Sequence, residues 1–226
     1  MRSLARFFGV PDPVKSPIPQ STKRMFFSID GGDGTGKSTQ LELFCRWLEE
    51  LGHEVVTCRD PGSTGLGEAV RGILLDRHDL DIHRRSEMFL YMAARTQLVE
   101  EVIRPALDEG KTVVSDRYLL ANVVYQGYAG GVDVETLWQV GRVATDGLMP
   151  DLTIVLDMPA DAAAGRLDRK LDRMELQGDA FHARVRDGFL KEAAHGNGPI
   201  VVVDAAESIE AVQAKIRAEA SKVLDV

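Results

Sequence analysis

Three things are scarce or missing in this sequence, and each excludes a class of protein. Its 226 residues include two cysteines, Cys45 and Cys58, too few for a disulfide framework, and we interpret both as core thiols in the reducing cytoplasm. No apolar run reaches the ~20 residues of a membrane-spanning helix, and the apolar part of the N-terminus is too short for a secretory signal. A net charge of −8 argues against a nucleic-acid polymer as partner, although it allows a single nucleotide in a locally basic pocket.

The most informative stretch is rich in glycine and lies between an apolar run and an amphipathic helical pattern. Residues 31–39 read GGDGTGKST and match the phosphate-binding loop (P-loop) pattern G-x-x-x-x-G-K-[ST]. Glycines let the backbone approach phosphate oxygens, and N–H groups at a helix N-terminus attract an anion. Lys37 would then contact the outer phosphates, and the Ser38 hydroxyl would bind Mg²⁺. The alternative is a glycine-rich turn with an incidental lysine.

Short β-branched runs alternate with helical patterns along most of the chain. This alternation predicts an α/β fold, with a five-stranded parallel sheet and helices on both faces. In such sheets the ligand lies beyond the carboxyl ends of the strands. Pro105 is expected to bend or end the longest helix before Gly110. The predicted strands cover residues 25–29, 54–58, 112–115, 152–156 and 200–203, and the predicted helices cover 38–51, about 65–76, 84–108, 118–128, 134–147, 160–193 with a break, and 207–223.

Residues 1–24 stand outside this pattern. They contain four prolines and no sustained periodicity, so we interpret them as a proline-rich, extended N-terminal extension. A segment docked on an apolar patch through Phe7 and Phe8 is the alternative. Residues 25–226 are expected to form a single domain, because α/β units of this size are commonly single.

Charged residues follow the second and third predicted strands, at the ligand edge of the expected sheet. Arg59 starts an Arg-Asp-Pro-Gly turn, where its guanidinium can bind a phosphate in bidentate fashion. Asp116 ends the third strand beside the phosphate loop and can hold Mg²⁺ or its water shell, and Arg117 can contact transferring phosphoryl oxygens. A structural ion pair between Asp116 and Arg117 is the alternative.

Two other groups of residues each allow two interpretations. Tyr91 and Arg95 lie one helical turn apart and can stack on a base and bond to its edge, although spacing alone favours a core tyrosine and a solvated arginine. Four cations between residues 166 and 173 form either a solvated helix face or a mobile basic segment that closes over phosphates.

Together these segments resemble the thymidylate kinase family, whose members phosphorylate dTMP to dTDP. The resemblance covers about residues 25–220 and implies a P-loop nucleoside monophosphate kinase fold with a short lid at about residues 166–179. It also implies ATP as phosphoryl donor, Mg²⁺ as cofactor, dTMP as acceptor and a homodimer that leaves the active sites free. The stretches that carry it are FFSIDGGDGTGKST, RDPGSTGLGEAVRGILL, MFLYMAARTQLVEEVIRPALDEGKTVVSDRY with NVVYQG, and MPDLTIVLD with LDRME and FHARVRDGFL.

The resemblance also implies roles for individual positions. Asp33 matches an acidic residue that contacts the 3′-hydroxyl of dTMP and helps to hold Arg59. Tyr91 falls where the family usually stacks a phenylalanine on thymine, Arg95 matches the arginine that bonds to the thymine edge, and Asn122 falls where the base is read. The implied dTMP-binding set is Asp33, Arg59, Tyr91, Arg95, Arg117, Asn122, Tyr125 and Gln126, with Tyr125 and Gln126 on the deoxyribose side. The implied ATP-binding set is Gly31, Gly32, Asp33, Gly34, Thr35, Gly36, Lys37, Ser38, Thr39 and Arg166, with Arg166 over the adenine, and the implied metal ligands are Ser38 and Asp116.

The catalytic cation is expected to come from the lid. Gly34, and not a basic residue, follows Asp33, as in the bacterial type of the family, and charge in the transition state can be neutralised from either side. Asp168 occupies a place where an arginine is usual, so two neighbouring arginines are candidates. The expected catalytic set is Asp33, Lys37, Arg117, Arg169 and Arg173.

Two departures from the family pattern leave the acceptor open. Asp60 is one methylene shorter than the usual glutamate, which is expected to shift Arg59, and Ala121 lacks a common hydroxyl near the base. Another deoxynucleotide or deoxynucleoside kinase on the same scaffold is therefore the alternative function. A nucleotide-binding switch is disfavoured, because an Asn-Lys-x-Asp guanine motif is absent and Arg117 stands where water-activating ATPases have a glutamate.

Overall fold

The computed structural model describes residues 24–77, 79–166, 172–196 and 198–225. Five parallel strands in these residues form one sheet, which confirms the prediction. Each strand begins and ends within two residues of its predicted limits. The strands are β1 Phe26–Gly31, β2 Val55–Arg59, β3 Thr112–Asp116, β4 Leu152–Asp157 and β5 Ile200–Asp204. Their order across the sheet is β2-β3-β1-β4-β5, so the chain crosses over between neighbouring strands.

Helices fill the connections between the strands, as predicted. Three of them, Gly65–Arg71 (α2), Arg84–Leu98 (α3) and Leu119–Asn122 (α5), pass directly into π-helical turns. These turns are Gly72–Asp76, Val99–Ile103 and Val123–Tyr128. The π-helical turn before Pro105 lets the helix continue to Asp108, two residues before Gly110. None of the described helices is long and apolar enough to cross a membrane. The α-helices are α1 Lys37–Glu50, α2 Gly65–Arg71, α3 Arg84–Leu98, α4 Arg104–Asp108, α5 Leu119–Asn122, α6 Val134–Thr145, α7 Ala160–Ala164, α8 Asp179–His195 and α9 Ile209–Leu224.

Each face of the sheet carries its own apolar cluster. Successive side chains of a strand point to opposite faces, so Phe26 belongs to a cluster with residues of α2, α3, α5, α6 and α8, while Phe27 belongs to a cluster with residues of α1 and α9. Phe27 meets Phe44 of α1 edge to face, with ring centroids 5.1 Å apart. Burying side chains of this size stabilises the fold by about 2–3 kcal/mol each. The two clusters therefore cover both faces of the sheet.

The strand register places the phosphate loop, Arg59 and Asp116 together. Arg59 of β2 pairs with Asp116 of β3, and Asp116 pairs with Ile29 of β1. The backbone N–H of Arg117 then donates to the Ile29 carbonyl at 3.0 Å. Arg117 adopts a left-handed conformation with φ 68°, a strained backbone state that clusters at functional sites.

Candidate active site

A cavity of about 880 Å³ opens at the carboxyl edge of the sheet, between the phosphate loop, α3 and the π-helical turn Val123–Tyr128. Its volume is that of a site for one or two small ligands. It brings together most of the predicted site residues, whereas Gly31, Gly32 and Arg173 are not among the described residues that line it. Arg169 lies outside the described residues. The predicted residues in the lining are Asp33, Gly34, Thr35, Gly36, Lys37, Ser38, Thr39, Arg59, Tyr91, Arg95, Asp116, Arg117, Asn122, Tyr125, Gln126 and Arg166.

The glycines of the phosphate loop are required by its backbone. Gly31, Gly34 and Gly36 have φ of +132°, +79° and +88°, a region that costs little for glycine alone. A Cβ on Gly34 would lie 2.1 Å from the carbonyl oxygen of Ala163 in α7. A basic side chain at position 34 would therefore clash with the backbone of α7.

Lys37 is buried at the start of α1 and bends back over the phosphate loop. Its Nζ donates to the carbonyl oxygens of Gly32 at 2.6 Å and Gly31 at 3.2 Å. Burial, reinforced by the positive charge of Arg117, lowers the pKa of Lys37 to about 8. A nearby polyanion stabilises the protonated form of such a lysine and raises its pKa again.

Asp33 and Arg117 form a bridge between the phosphate loop and the turn after β3. Arg117 donates through Nη2 to Asp33 Oδ1 and through Nη1 to the Gly31 carbonyl at 2.7 Å, and the Tyr125 hydroxyl donates to Asp33 Oδ2 at 2.9 Å. Burial alone would raise the pKa of Asp33, but Arg117 and Lys37 outweigh it and hold that pKa at about 2. Asp33 is therefore ionised at neutral pH.

Arg59 differs from expectation in its partner. Asp33 was expected to hold it, but Arg59 pairs with Glu68 of α2 at 3.0 Å, and Asp33 holds Arg117 instead. Glu68 is fixed in turn, since its Oε1 accepts the Ser63 backbone N–H at 2.8 Å. The guanidinium of Arg59 is half exposed at the rim of the cavity, where it remains accessible to a phosphate.

The predicted base pocket is built on a buried ion pair. Arg95 is 1% exposed and its Nε donates to Asp60 Oδ2 at 2.5 Å, so the solvated arginine that spacing favours is wrong. Asp60 therefore fixes Arg95, while Arg59 pairs with Glu68, and the expected shift of Arg59 stays a prediction. Burial raises the pKa of Asp60, and the charge of Arg95 opposes that rise. Tyr91, one turn before Arg95, is half-buried in the wall of the cavity.

Arg173 is held away from the cavity. Its Nε donates to the Leu74 carbonyl at 2.7 Å, and its Nη2 lies 2.6 Å from Oε1 of Glu87, a fully buried carboxylate of α3. The π-helical turn Gly72–Asp76 supplies that carbonyl, since its hydrogen-bond spacing differs from that of an α-helix. Arg173 thus fastens the second half of the predicted lid to the π-helical turn Gly72–Asp76 and to α3. At the other end Arg166 donates to the Ala205 carbonyl at 3.4 Å.

The structure adds residues that the sequence did not indicate. Arg71 of α2 lines the cavity and donates to the Pro61 carbonyl at 3.0 Å. Asp172 lines it too, and its carboxylate accepts the backbone N–H of Met174 at 2.8 Å. Only the docking of α2 and of the lid end against the sheet brings these side chains to the cavity. The one sequence signal for Arg71 is its place on the helix after the Arg59 turn.

Ser38 and Asp116 fit the expected magnesium site. Asp116 has a buried Oδ1 with no hydrogen-bond partner in the described part of the chain, and an orphaned carboxylate oxygen is suited to a hard cation. Ser38 is the second residue of α1 and lines the same cavity. No group of three or more acidic, histidine or cysteine side chains that could hold a metal is found in the described ranges. Mg²⁺ needs none, because one or two protein oxygens suffice when phosphates and water complete its shell.

The phosphate loop lies at the carboxyl edge of a parallel β2-β3-β1-β4-β5 sheet and opens on a cavity for small ligands. Together these features define a P-loop phosphotransferase. The family model of thymidylate kinase matches residues 29–216. A thymidylate kinase of Rhodopirellula baltica is 46% identical over 209 residues, covering 92% of this chain and 85% of that protein. One of Nitratidesulfovibrio vulgaris is 47% identical, covering 83% and 88%. The crystal structure of thymidylate kinase from Ehrlichia chaffeensis superimposes with a TM-score of 0.69 at 30% identity, covering 87% of this chain and 98% of that chain. The chain belongs to the thymidylate kinase family.

Proposed function

We propose that this protein transfers the γ-phosphoryl group of ATP to dTMP and releases dTDP and ADP. The observation that carries the proposal is a single cavity with a phosphate loop at one end and a buried polar pocket, built on Arg95, at the other. Asp33 and Arg117 lie between them. Two nucleotides bound at the two ends would meet phosphate to phosphate at this bridge.

The reaction is an in-line displacement. An oxygen of the dTMP phosphate forms a bond to the γ-phosphorus of ATP, and the bond from that phosphorus to the bridging oxygen of ADP breaks. Lys37, Arg117 and a lid arginine carry the charge that develops on the transferring oxygens. Asp33, ionised at neutral pH, keeps Arg117 and Lys37 oriented. Ser38 and Asp116 would hold Mg²⁺, which neutralises charge on the phosphates when bound.

We further propose that residues 25–226 act as one kinase domain with residues 166–179 as its lid, preceded by the extension of residues 1–24. Arg169 and Arg173 remain the two candidates for the lid cation. Arg173 must leave Glu87 before it can reach a phosphate, which favours Arg169. Cys45 and Cys58 are buried free thiols, and this supports an enzyme of the reducing cytoplasm.

Coupled detection of ADP tests the function. With Mg²⁺ and ATP, the wild type should strongly prefer dTMP over dUMP, dGMP and thymidine. Lys37→Ala should lose this activity, whereas Lys222→Ala, which removes an exposed lysine at the end of α9, should keep it. Turnover with dTMP no faster than with water alone would refute the proposal, and so would activity with another acceptor only.

A homodimer is supported by a surface on α3 and α6, two helices that pack against each other and that each expose an apolar side chain. Phe89 of α3 is 59% exposed and Val143 of α6 is 82% exposed, and neither lines the cavity. Apolar side chains this exposed mark an interaction site when they are grouped, and a two-fold axis would pair the surface with itself. Sedimentation should show a dimer at micromolar concentration, and a monomeric species alone would contradict the assembly.

A further inference from the structure

Four buried polar side chains form a hydrogen-bonded row along the wall of the base pocket. Asp60 Oδ2 accepts from Arg95 Nε at 2.5 Å, Arg95 Nη1 donates to Asn122 Oδ1 at 3.2 Å, and Asn122 Nδ2 donates to Gln126 Oε1 at 2.7 Å. The exposed fraction of every one of these residues is 3% or less. All four line the cavity.

The chemistry of the groups fixes the direction of the row. A guanidinium has only donors, so the amide of Asn122 must turn its oxygen toward Arg95 and its nitrogen toward Gln126. Gln126 must then accept with its oxygen, which leaves its nitrogen at the end. That atom, Gln126 Nε2, is buried and has no hydrogen-bond partner among the described residues. The row therefore ends in an unused donor.

Asp60 is the only carboxylate that the structure records against Arg95 in the described ranges. A buried guanidinium without a counter-charge is strongly destabilised and moves toward water. Once Arg95 withdraws, no other hydrogen bond recorded among the described residues distinguishes the two ends of either amide, and both can rotate by half a turn. The free end of the row would then present a donor or an acceptor.

We propose that Asp60 is a positioning residue that sets the hydrogen-bonding direction of the base pocket, and thereby selects a base with a carbonyl over one with an amino group. The inference rests on the proposed function and deepens it. The pyrimidines of dTMP and dUMP offer a carbonyl at carbon 4, and the proposal assigns it to the Gln126 donor beside Asn122, so that Gln126 reads the base and not the deoxyribose side that the family resemblance implied. The pyrimidine of dCMP carries an amino group there. A pocket built to form a hydrogen bond rejects a ligand that leaves its group unpaired by large factors.

Three single variants of the full chain test the role of Asp60. Asp60→Asn keeps the shape and removes the charge, Asp60→Glu restores the charge on a longer side chain, and Gln126→Glu replaces the terminal donor with an acceptor. For each variant, kcat and KM are measured for dTMP, dCMP and ATP, together with Tm. Calorimetric binding of dTMP and dCMP to the same samples gives a readout that does not depend on turnover.

Asp60→Asn is expected to raise the KM for dTMP at least tenfold and to lower the dTMP-to-dCMP ratio of kcat/KM at least tenfold, while the KM for ATP stays within twofold. Asp60→Glu should recover most of the ratio, and Gln126→Glu should lower it without disturbing the ion pair. A ratio unchanged in both Asp60→Asn and Gln126→Glu would overturn the proposal. A parallel rise of both KM values with a lower Tm would show that Asp60 has a structural role only.

A wild type that phosphorylates no acceptor would refute the proposed function without deciding the role of Asp60. Calorimetry then decides it. Preferential binding of dTMP over dCMP that Asp60→Asn abolishes would support the inference. Equal binding of the two nucleotides by the wild type would overturn it.

Discussion

Position 34 decides whether the phosphate loop and α7 can pack together. Gly34 has φ +79°, and an added Cβ would lie 2.1 Å from the Ala163 carbonyl oxygen and 2.8 Å from its carbon. Both atoms belong to the backbone of α7, so no side chain can turn aside to relieve the contact. Gly34→Ala must therefore displace α7. The chain leads directly from α7 to Arg166, which lines the cavity.

Two free-energy costs determine how much Gly34→Ala destabilises the folded protein. A left-handed conformation costs an alanine about 1 kcal/mol relative to glycine, and relief of an overpacked contact adds typically about 1–3 kcal/mol. Gly52 supplies a matched control, because its φ is +92° and nothing lies within 4 Å of its Cβ position. Gly52→Ala should therefore carry the first term alone, and Gly34→Ala the sum of both.

Thermal unfolding and steady-state kinetics of the two variants separate these terms. A loss of 1 kcal/mol lowers Tm by roughly 2–4 °C in a chain of this length, so Gly52→Ala should lose about that much and keep its KM for ATP. Gly34→Ala should lose at least twice as much and raise the KM for ATP about tenfold or more. Equal Tm and KM values in the two variants would refute the reasoning, since they would show that α7 does not press on the loop.

Two other perturbations test charges in and beside the cavity. Because burial and Arg117 lower the pKa of Lys37 to about 8, the free enzyme loses this charge above pH 8, and bound phosphates restore it. The Kd for ATP should therefore rise by up to about tenfold per unit above pH 8, and calorimetry in two buffers should show proton uptake; a flat Kd from pH 7 to 9.5 would contradict this. Glu87→Gln removes the charge that holds Arg173 and should cost about 3 kcal/mol of stability. Glu42→Gln breaks an exposed ion pair and should cost less than about 1 kcal/mol, so similar Tm losses in the two variants would argue against the anchor.

Local sequence patterns were enough to predict the fold and the phosphate-binding end of the site. The P-loop is a contiguous motif whose glycines, lysine and serine act through the backbone of one strand, one turn and one helix, so its spacing contained the information. The short apolar runs likewise predicted all five strands, and the three central strands β1, β3 and β4 are buried, as parallel strands covered on both faces should be. Asp116 and Arg117 followed from the rule that ligands lie at the carboxyl edge of such a sheet.

Contacts between segments distant in the sequence could not be predicted from local patterns. The partner of Arg95 is 35 residues away and that of Arg173 is 86 residues away, so helical spacing alone made the buried Arg95 look solvated. Family resemblance named Arg95 correctly as a pocket residue without showing that Asp60 neutralises it. The pairing of Arg59 with Glu68 depends on how α2 docks beside β2, which no local pattern encodes.

The distribution of charge explains how a protein of net charge −8 can hold two anionic nucleotides. The described lining of the cavity contains as many Asp and Glu as Lys and Arg side chains, so the pocket is not basic by count. Among its six carboxylates, Asp33 is instead paired with Arg117 and Tyr125, Asp60 with Arg95, and Asp172 with backbone N–H groups. Paired carboxylates repel a phosphate weakly, while the N–H groups of the loop and the start of α1 attract it at short range. A buried oxygen of Asp116 has no hydrogen-bond partner among the described residues, and a cation bound there would neutralise it.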